Sequence, residues 1–147
     1  MKLSIFERLS VAMAVVASIG LLDALYLTYQ HYQPQPISCF ILEGCDVVTN
    51  SPYATFLGIP VALLGAAYYF LMLLLIILFF LSRRIEILKL AILLTPIGFL
   101  ASFSFLYLQI FVIGAICSWC LISALTSTIL FALGILLWTS LRGGEKR

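Results

Sequence analysis

Residues 117–141 read CSWCLISALTSTILFALGILLWTSL, a stretch with no charged side chain. As a helix rising about 1.5 Å per residue, it is long enough to cross a hydrocarbon core of about 30 Å. Trp119 and Trp138 stand 19 residues apart in it. That is roughly 28 Å along a helix axis, close to the separation of the aromatic belts that mark the two membrane interfaces. The tryptophans therefore place Cys117 and Cys120 at one boundary of the hydrocarbon.

Three more apolar runs precede this one, at roughly 9–29, 56–81 and 90–113. Of 147 residues, 64% are hydrophobic and 10% charged; a soluble domain this small exposes far more polar surface. The runs lack the period-2 alternation of a transmembrane barrel. The expected fold is an all-α membrane protein: a four-transmembrane-helix bundle forming one domain over 1–147. Its helices are expected at about 9–29, 56–81, 90–113 and 117–141, with a loop over 30–55.

Charge predicts orientation. Lys2 and Arg8 precede the first run, Arg83, Arg84 and Lys89 lie between the second and third, and Arg142, Lys146 and Arg147 follow the fourth. The 30–55 loop and the turn around Gly114 carry no Lys or Arg. The positive-inside rule then puts both termini in the cytoplasm and all four cysteines on the extracytoplasmic side of a multi-pass cell-membrane protein. The net charge of +2 is a topology signal, and no nucleic acid partner is implied. The N-terminal basic residues and apolar run imitate a secretory signal, but no small-residue exit precedes the polar loop, so the run reads as a retained helix. The chain stops soon after the fourth run, and no thioredoxin-like domain is expected on it.

Loop 30–55 is too apolar for a solvated linker. Tyr26, Tyr29 and Tyr32 suit an interface, Pro34 and Pro36 break the helix, and Phe40, Ile41 and Leu42 predict a lid over the bundle that lies along the membrane surface. Gly44 is expected to turn the chain so that Cys39 and Cys45 meet, and Ser51 or Thr55 to cap the next helix. Pro60 is expected in that helix's first turns, and Pro96 predicts a kink.

The four cysteines form a spaced pair, Cys39 and Cys45, and a tight pair, Cys117 and Cys120. Two cysteines at i and i+3 share a helix face, and a helix start favours the thiolate. Outside the cytoplasm such a pair can cycle between dithiol and disulfide. A purely structural loop disulfide with incidental helix cysteines is the bland alternative; a four-cysteine zinc site fits these spacings poorly. Two pairs divide the labour of a relay. One exchanges with a soluble thiol protein through mixed disulfides, and the other meets a two-electron acceptor in the bilayer, for which a quinone is the natural candidate.

The order Cys39, Cys45, Ser51, Cys117-Ser118-Trp119-Cys120 on four helices resembles the vitamin K epoxide reductase family, particularly its prokaryotic members. The run from Asn50 to Pro60 resembles the start of that family's second helix. The resemblance implies a membrane oxidoreductase that forms disulfides in a separate thioredoxin-like (DsbA-like) thiol protein and reduces a quinone such as ubiquinone or menaquinone. By resemblance, Cys120 reduces or adducts the quinone, Cys117 exchanges with the loop, Cys45 is its loop partner, and Cys39 faces the external thiol protein. Ser51 corresponds to the family's Ser or Thr between loop and helix. The expected quinone contacts are Cys120, Ser51, Phe56 and Phe111, in a pocket among the helices, with packing the commoner role for aromatics such as Phe56, Phe103, Phe111 and Tyr107. Where the animal enzymes carry a Tyr four residues after the second cysteine, this chain has Ala124, which favours plain quinone reduction over epoxide reduction.

Asp23 lies within the first run, where an ionisable group is expensive and usually functional; a proton relay and a neutral hydrogen-bonded Asp are both open. His31 reads as an interfacial residue with or without a proton-handling role. The DsbB-type quinone-linked oxidases also have four helices and two pairs, but in the reverse order. A small four-helix multidrug exporter would use Asp23 and would not need the cysteines.

Overall fold

The computed structural model describes residues 4–145 of the chain. Four long helices are apolar enough to cross a membrane. Helix α1 (Ile5–His31) opens with a capping box: the Glu7 N–H donates to Ser4 Oγ, and the Ser4 N–H donates to the Glu7 carboxylate. The loop after it holds a short helix, α2 (Cys45–Thr49), a 3-10 turn (Pro52–Ala54) and a hairpin of β1 (Thr55–Phe56) and β2 (Ile59–Pro60). Helices α3 (Val61–Ser82), α4 (Ile85–Tyr107) and α5 (Ser118–Glu145) follow. A π-helical turn, Leu108–Ile113, extends α4.

Three sequence expectations are corrected here. The second span begins at Val61 rather than 56, because Leu57 (φ 52°) and Gly58 (φ 80°) form the two left-handed positions of a tight hairpin turn, which no helix accommodates. Pro60 therefore stands ahead of its helix, in β2, and not within the first turns. Helix α4 starts at Ile85 rather than 90, taking Glu86 and Lys89 into its first turns, where they pair at 3.0 Å. Hydropathy alone underestimates helix length wherever charged residues sit at an interface.

The long helices alternate in direction, and each packs on two neighbours: α1 on α3 and α5, and α4 on α3 and α5. Lipid tails are as apolar as Leu, so packing rather than hydrophobicity holds such a bundle together. Small residues create the close approaches. A Cβ on Gly20 would fall 2.4 Å from the Tyr69 ring, one on Gly98 2.4 Å from Tyr68, and one on Gly134 2.7 Å from Thr95 Oγ1. Met13, Met72, Ile76, Leu88, Leu130 and Leu137 fill the centre, while Leu22, Leu81, Leu93 and Leu100 point outward to hydrocarbon. At the end opposite the cysteines, Arg83 pairs with Glu7 and Arg142 lies over the Trp138 ring. Arg8, Arg83, Arg84 and Arg142 thus share one end; Lys2, Lys146 and Arg147 lie outside the described residues.

Pro96 sits inside α4 and cannot donate to the carbonyl four residues before it, that of Ile92. The buried Thr95 hydroxyl donates to that same carbonyl at 2.7 Å. A polar side chain thereby satisfies a backbone group that lipid cannot. Thr95→Val keeps the shape and removes the donor, and should cost about 1–3 kcal/mol. Pro96→Ala added to it restores the N–H and should recover most of that loss. Thermal unfolding of the two variants in detergent measures both effects.

Candidate active site

Cys39 and Cys45 form a disulfide, with Cα atoms 5.8 Å apart. The segment carrying it does not stand free of the bundle. Glu43 pairs antiparallel with Cys117 as an isolated β-bridge, the Leu42 N–H donates to Ser118 Oγ at 3.1 Å, and Trp119 Nε1 donates to the Ser38 carbonyl at 3.4 Å. The Trp119 ring sits between Tyr26 (centroids 4.6 Å apart) and Phe40 (5.2 Å, edge-on). The lid expected from Phe40, Ile41 and Leu42 is therefore a strap docked on the start of α5.

Gly44 has a role the sequence reading did not assign. The chain does turn here so that Cys39 and Cys45 meet, with an ordinary φ of −90° at Gly44. A Cβ there would lie 2.5 Å from the Ile116 carbonyl oxygen and 2.7 Å from the Ile116 nitrogen. Glycine is needed because two backbones touch.

Cys117 and Cys120 are both reduced. Cys117 is fully buried and precedes α5 rather than lying within it; its carbonyl accepts from the Leu121 N–H at 3.1 Å. The Cys117 N–H donates to Gln109 Oε1 at 3.0 Å. Gln109 is buried on the π-helical turn, and its own carbonyl accepts from Gly114 and Ala115. Sequence reasoning missed Gln109, although a lone amide in an apolar run was a signal. The Cys120 N–H donates to Cys117 Sγ at 3.3 Å. A hydrogen bond from the Cys120 side chain, and further ones from the Cys120 and Trp119 backbones, hold the Cys117 thiol below its ordinary pKa; burial works against them. Helix-start N–H groups favour a thiolate in just this way.

Burial grades the four sulfurs. Cys39 and Cys120 are partly accessible, while Cys45 and Cys117 are wholly enclosed. All four pack into one cluster with Leu27, Ile37 and Val48.

Cys120 also lines a cavity of about 340 Å³ among the helices, walled by Tyr68, Tyr69, Phe105, Gln109 and Ser123. His31 is at its rim. The Tyr69 hydroxyl is engaged by α5, donating to the Ser123 carbonyl at 2.9 Å and sharing a 2.7 Å hydrogen bond with Thr126. Phe56 and Phe111 are not on this wall: both are largely exposed, one on the hairpin and one tilted against Tyr107. The aromatic surface of the cavity comes from Tyr68, Tyr69 and Phe105 instead, because the hairpin and the π turn swing those two phenylalanines outward. Ser51 is not on the wall either; its hydroxyl donates to the Val48 carbonyl at 2.7 Å, bracing the segment whose Val48 and Thr49 do line it.

A sequence model of the vitamin K epoxide reductase family matches residues 11–135, a span that includes all four cysteines and most of the four long helices. The chain belongs to that family and is a multi-pass membrane thiol–disulfide oxidoreductase.

Gly44→Ala places a methyl group against the Ile116 backbone, which cannot swing aside as a side chain would. The strap should detach at a cost of about 1–3 kcal/mol. Cys117, now enclosed, should then react with a maleimide in the unreduced protein, and the rate of that labelling against wild type is the measurement.

Proposed function

We propose that this protein oxidises the dithiol of a separate thioredoxin-like partner and passes the electrons, through its two cysteine pairs, to a quinone in the bilayer. The observation that carries this reading is the docking of an oxidised loop pair on a reduced helix pair, with Cys120 on the wall of an intramembrane cavity. Exchange requires a thiolate to reach a disulfide sulfur. The accessible Cys39 is suited to the partner's thiol, and the enclosed Cys45 to Cys117.

The cavity suits a quinone ring. Its volume falls in the usual range for small-molecule sites, and its wall is mostly apolar with a few polar groups. When bound there, a quinone would supply a two-electron sink. Tyr68, Tyr69 and Phe105 would flank a planar ring, and Cys120 presents its sulfur to it. Gln109 serves by fixing the Cys117 backbone. Ser51 acts at one remove, through the α2 segment it braces. Ala124 offers no hydroxyl where the animal enzymes have a tyrosine, which favours plain quinone reduction. Orientation with both termini in the cytoplasm follows from the clustering of arginines at the end away from the cysteines.

Cysteine variants separate the steps. Cys120→Ala should abolish quinone reduction and accumulate a Cys45–Cys117 mixed disulfide, because the resolving thiol is missing; mass spectrometry of the trapped species identifies it. Cys39→Ala should lose turnover with a protein dithiol yet keep quinone reduction driven by dithiothreitol. Equal failure of both variants with dithiothreitol would overturn the division of roles. A membrane-impermeant maleimide added to intact cells after reduction should label Cys39. Labelling that needs opened membranes would reverse the orientation.

A further inference from the structure

Asp23 is a buried carboxyl group that the relay does not use. It is 5% exposed, and neither carboxylate oxygen has a hydrogen-bond partner. Its place is fixed from two sides. Helix α1 runs toward the cysteine end and α5 runs away from it, and the two meet where Tyr26 stacks on Trp119. Asp23, three residues back on the same helical face, is therefore level with the first turns of α5, which hold Cys120 and Ser123. One turn further back, Gly20 lies against the Tyr69 ring. The next residue, Ala24, lines the same cavity as Cys120 and Ser123. The titratable groups near enough for a charge on Asp23 to act on them are Tyr69 from α3 and Cys117 and Cys120 from the α5 side.

An orphaned polar group in hydrocarbon is costly and is retained for use. We propose that Asp23 is the proton-transfer group of the site: it yields a proton when the helix pair is oxidised and regains one when the loop pair reloads it. This rests on the quinone reading above. The proton count has a place for such a group when Cys117 enters the step as a thiolate. Quinone reduction consumes two electrons and two protons. With Cys117 as the thiolate, formation of the Cys117–Cys120 disulfide releases both electrons, but only the Cys120 thiol proton. Asp23 supplies the second and is left as a carboxylate. On reloading, the Cys39 and Cys45 thiols become the loop disulfide, and their two protons restore the Cys120 thiol and the Asp23 carboxyl. The site carries one negative charge throughout. A charge on Asp23 works against the Cys117 thiolate, so one charge shared in turn is favoured over two together.

The test compares wild type with Asp23→Asn, which preserves shape. In the full chain without quinone, the infrared difference between the dithiothreitol-reduced and the oxidised protein should show loss of a protonated carboxyl band on oxidation, absent in Asp23→Asn. Single-turnover reduction of a short-chain ubiquinone should be slowed about 100-fold in the variant. Its melting temperature should not fall, since no hydrogen bond is lost. No carboxyl change on oxidation, wild-type turnover in Asp23→Asn, or a drop in its melting temperature of several degrees would each overturn the proposal. A wild-type protein that shows the carboxyl change but reduces no quinone would overturn the quinone reading and leave the proton exchange standing.

Discussion

Every backbone polar group inside a bilayer must find a partner within the protein, and the exceptions to plain helix are where this molecule is organised. Each break carries its own repair. The Ile92 carbonyl freed by Pro96 is taken by the Thr95 hydroxyl. The π turn at the end of α4 sends two N–H groups to the Gln109 carbonyl. The Cys117 N–H, left without a helical acceptor ahead of α5, goes to the Gln109 side chain. One residue thus closes α4 and opens α5, and the redox pair is placed by the same bonds that keep the turn intact. Cys117 is held still because its backbone has nowhere else to go.

That rigidity explains why the loop pair is brought to the helix pair rather than the reverse. The strap gains a β-bridge at Glu43, a bond from Leu42 to Ser118, and a ring sandwich at Trp119. Individually such contacts contribute about 0.5–1.5 kcal/mol, enough together to dock a loop but few enough to let it shift. Relay chemistry needs this balance: a sulfur must approach another along the disulfide axis and afterwards withdraw. Gly44 sets the closest approach of the two backbones, and so bears on Cys45 although it has no side chain.

The four-helix membrane bundle was legible because hydrophobic run length is a strong signal, and the Trp119 and Trp138 spacing predicts a depth for the Cys117–Cys120 pair. Helix ends were read less well. Leu57-Gly58 adopts a conformation no apolar-run count detects, so Phe56 was placed at a helix start when it sits on a hairpin. Phe111 was misread for a related reason: the π turn rotates the residues after Leu108 off the helical face expected from a 3.6-residue period. Gln109 does not stand out among titratable groups, because its work is done by an amide. Tyr68 and Tyr69 were invisible as site residues, since an aromatic pair within a long apolar run reads as core until the neighbouring helices are known.

Polar groups are unevenly spread along the bundle. Asp23, Gln109, Ser118, Thr126 and Ser127 are all buried and lie in the half nearer the cysteines, whereas the other half is filled by Met, Ile and Leu with Ser10 among them. A half-bundle filled mainly by apolar side chains resists the passage of water and protons, and under the proposed function the polar half would receive the quinone ring. Under the proposed function, the membrane serves as insulation on one side of the site and as the reservoir of the acceptor on the other. Cys120 stands where those two functions meet, one helical turn from Cys117 and facing the cavity. In the proposed relay, its place on the cavity wall makes it the last sulfur.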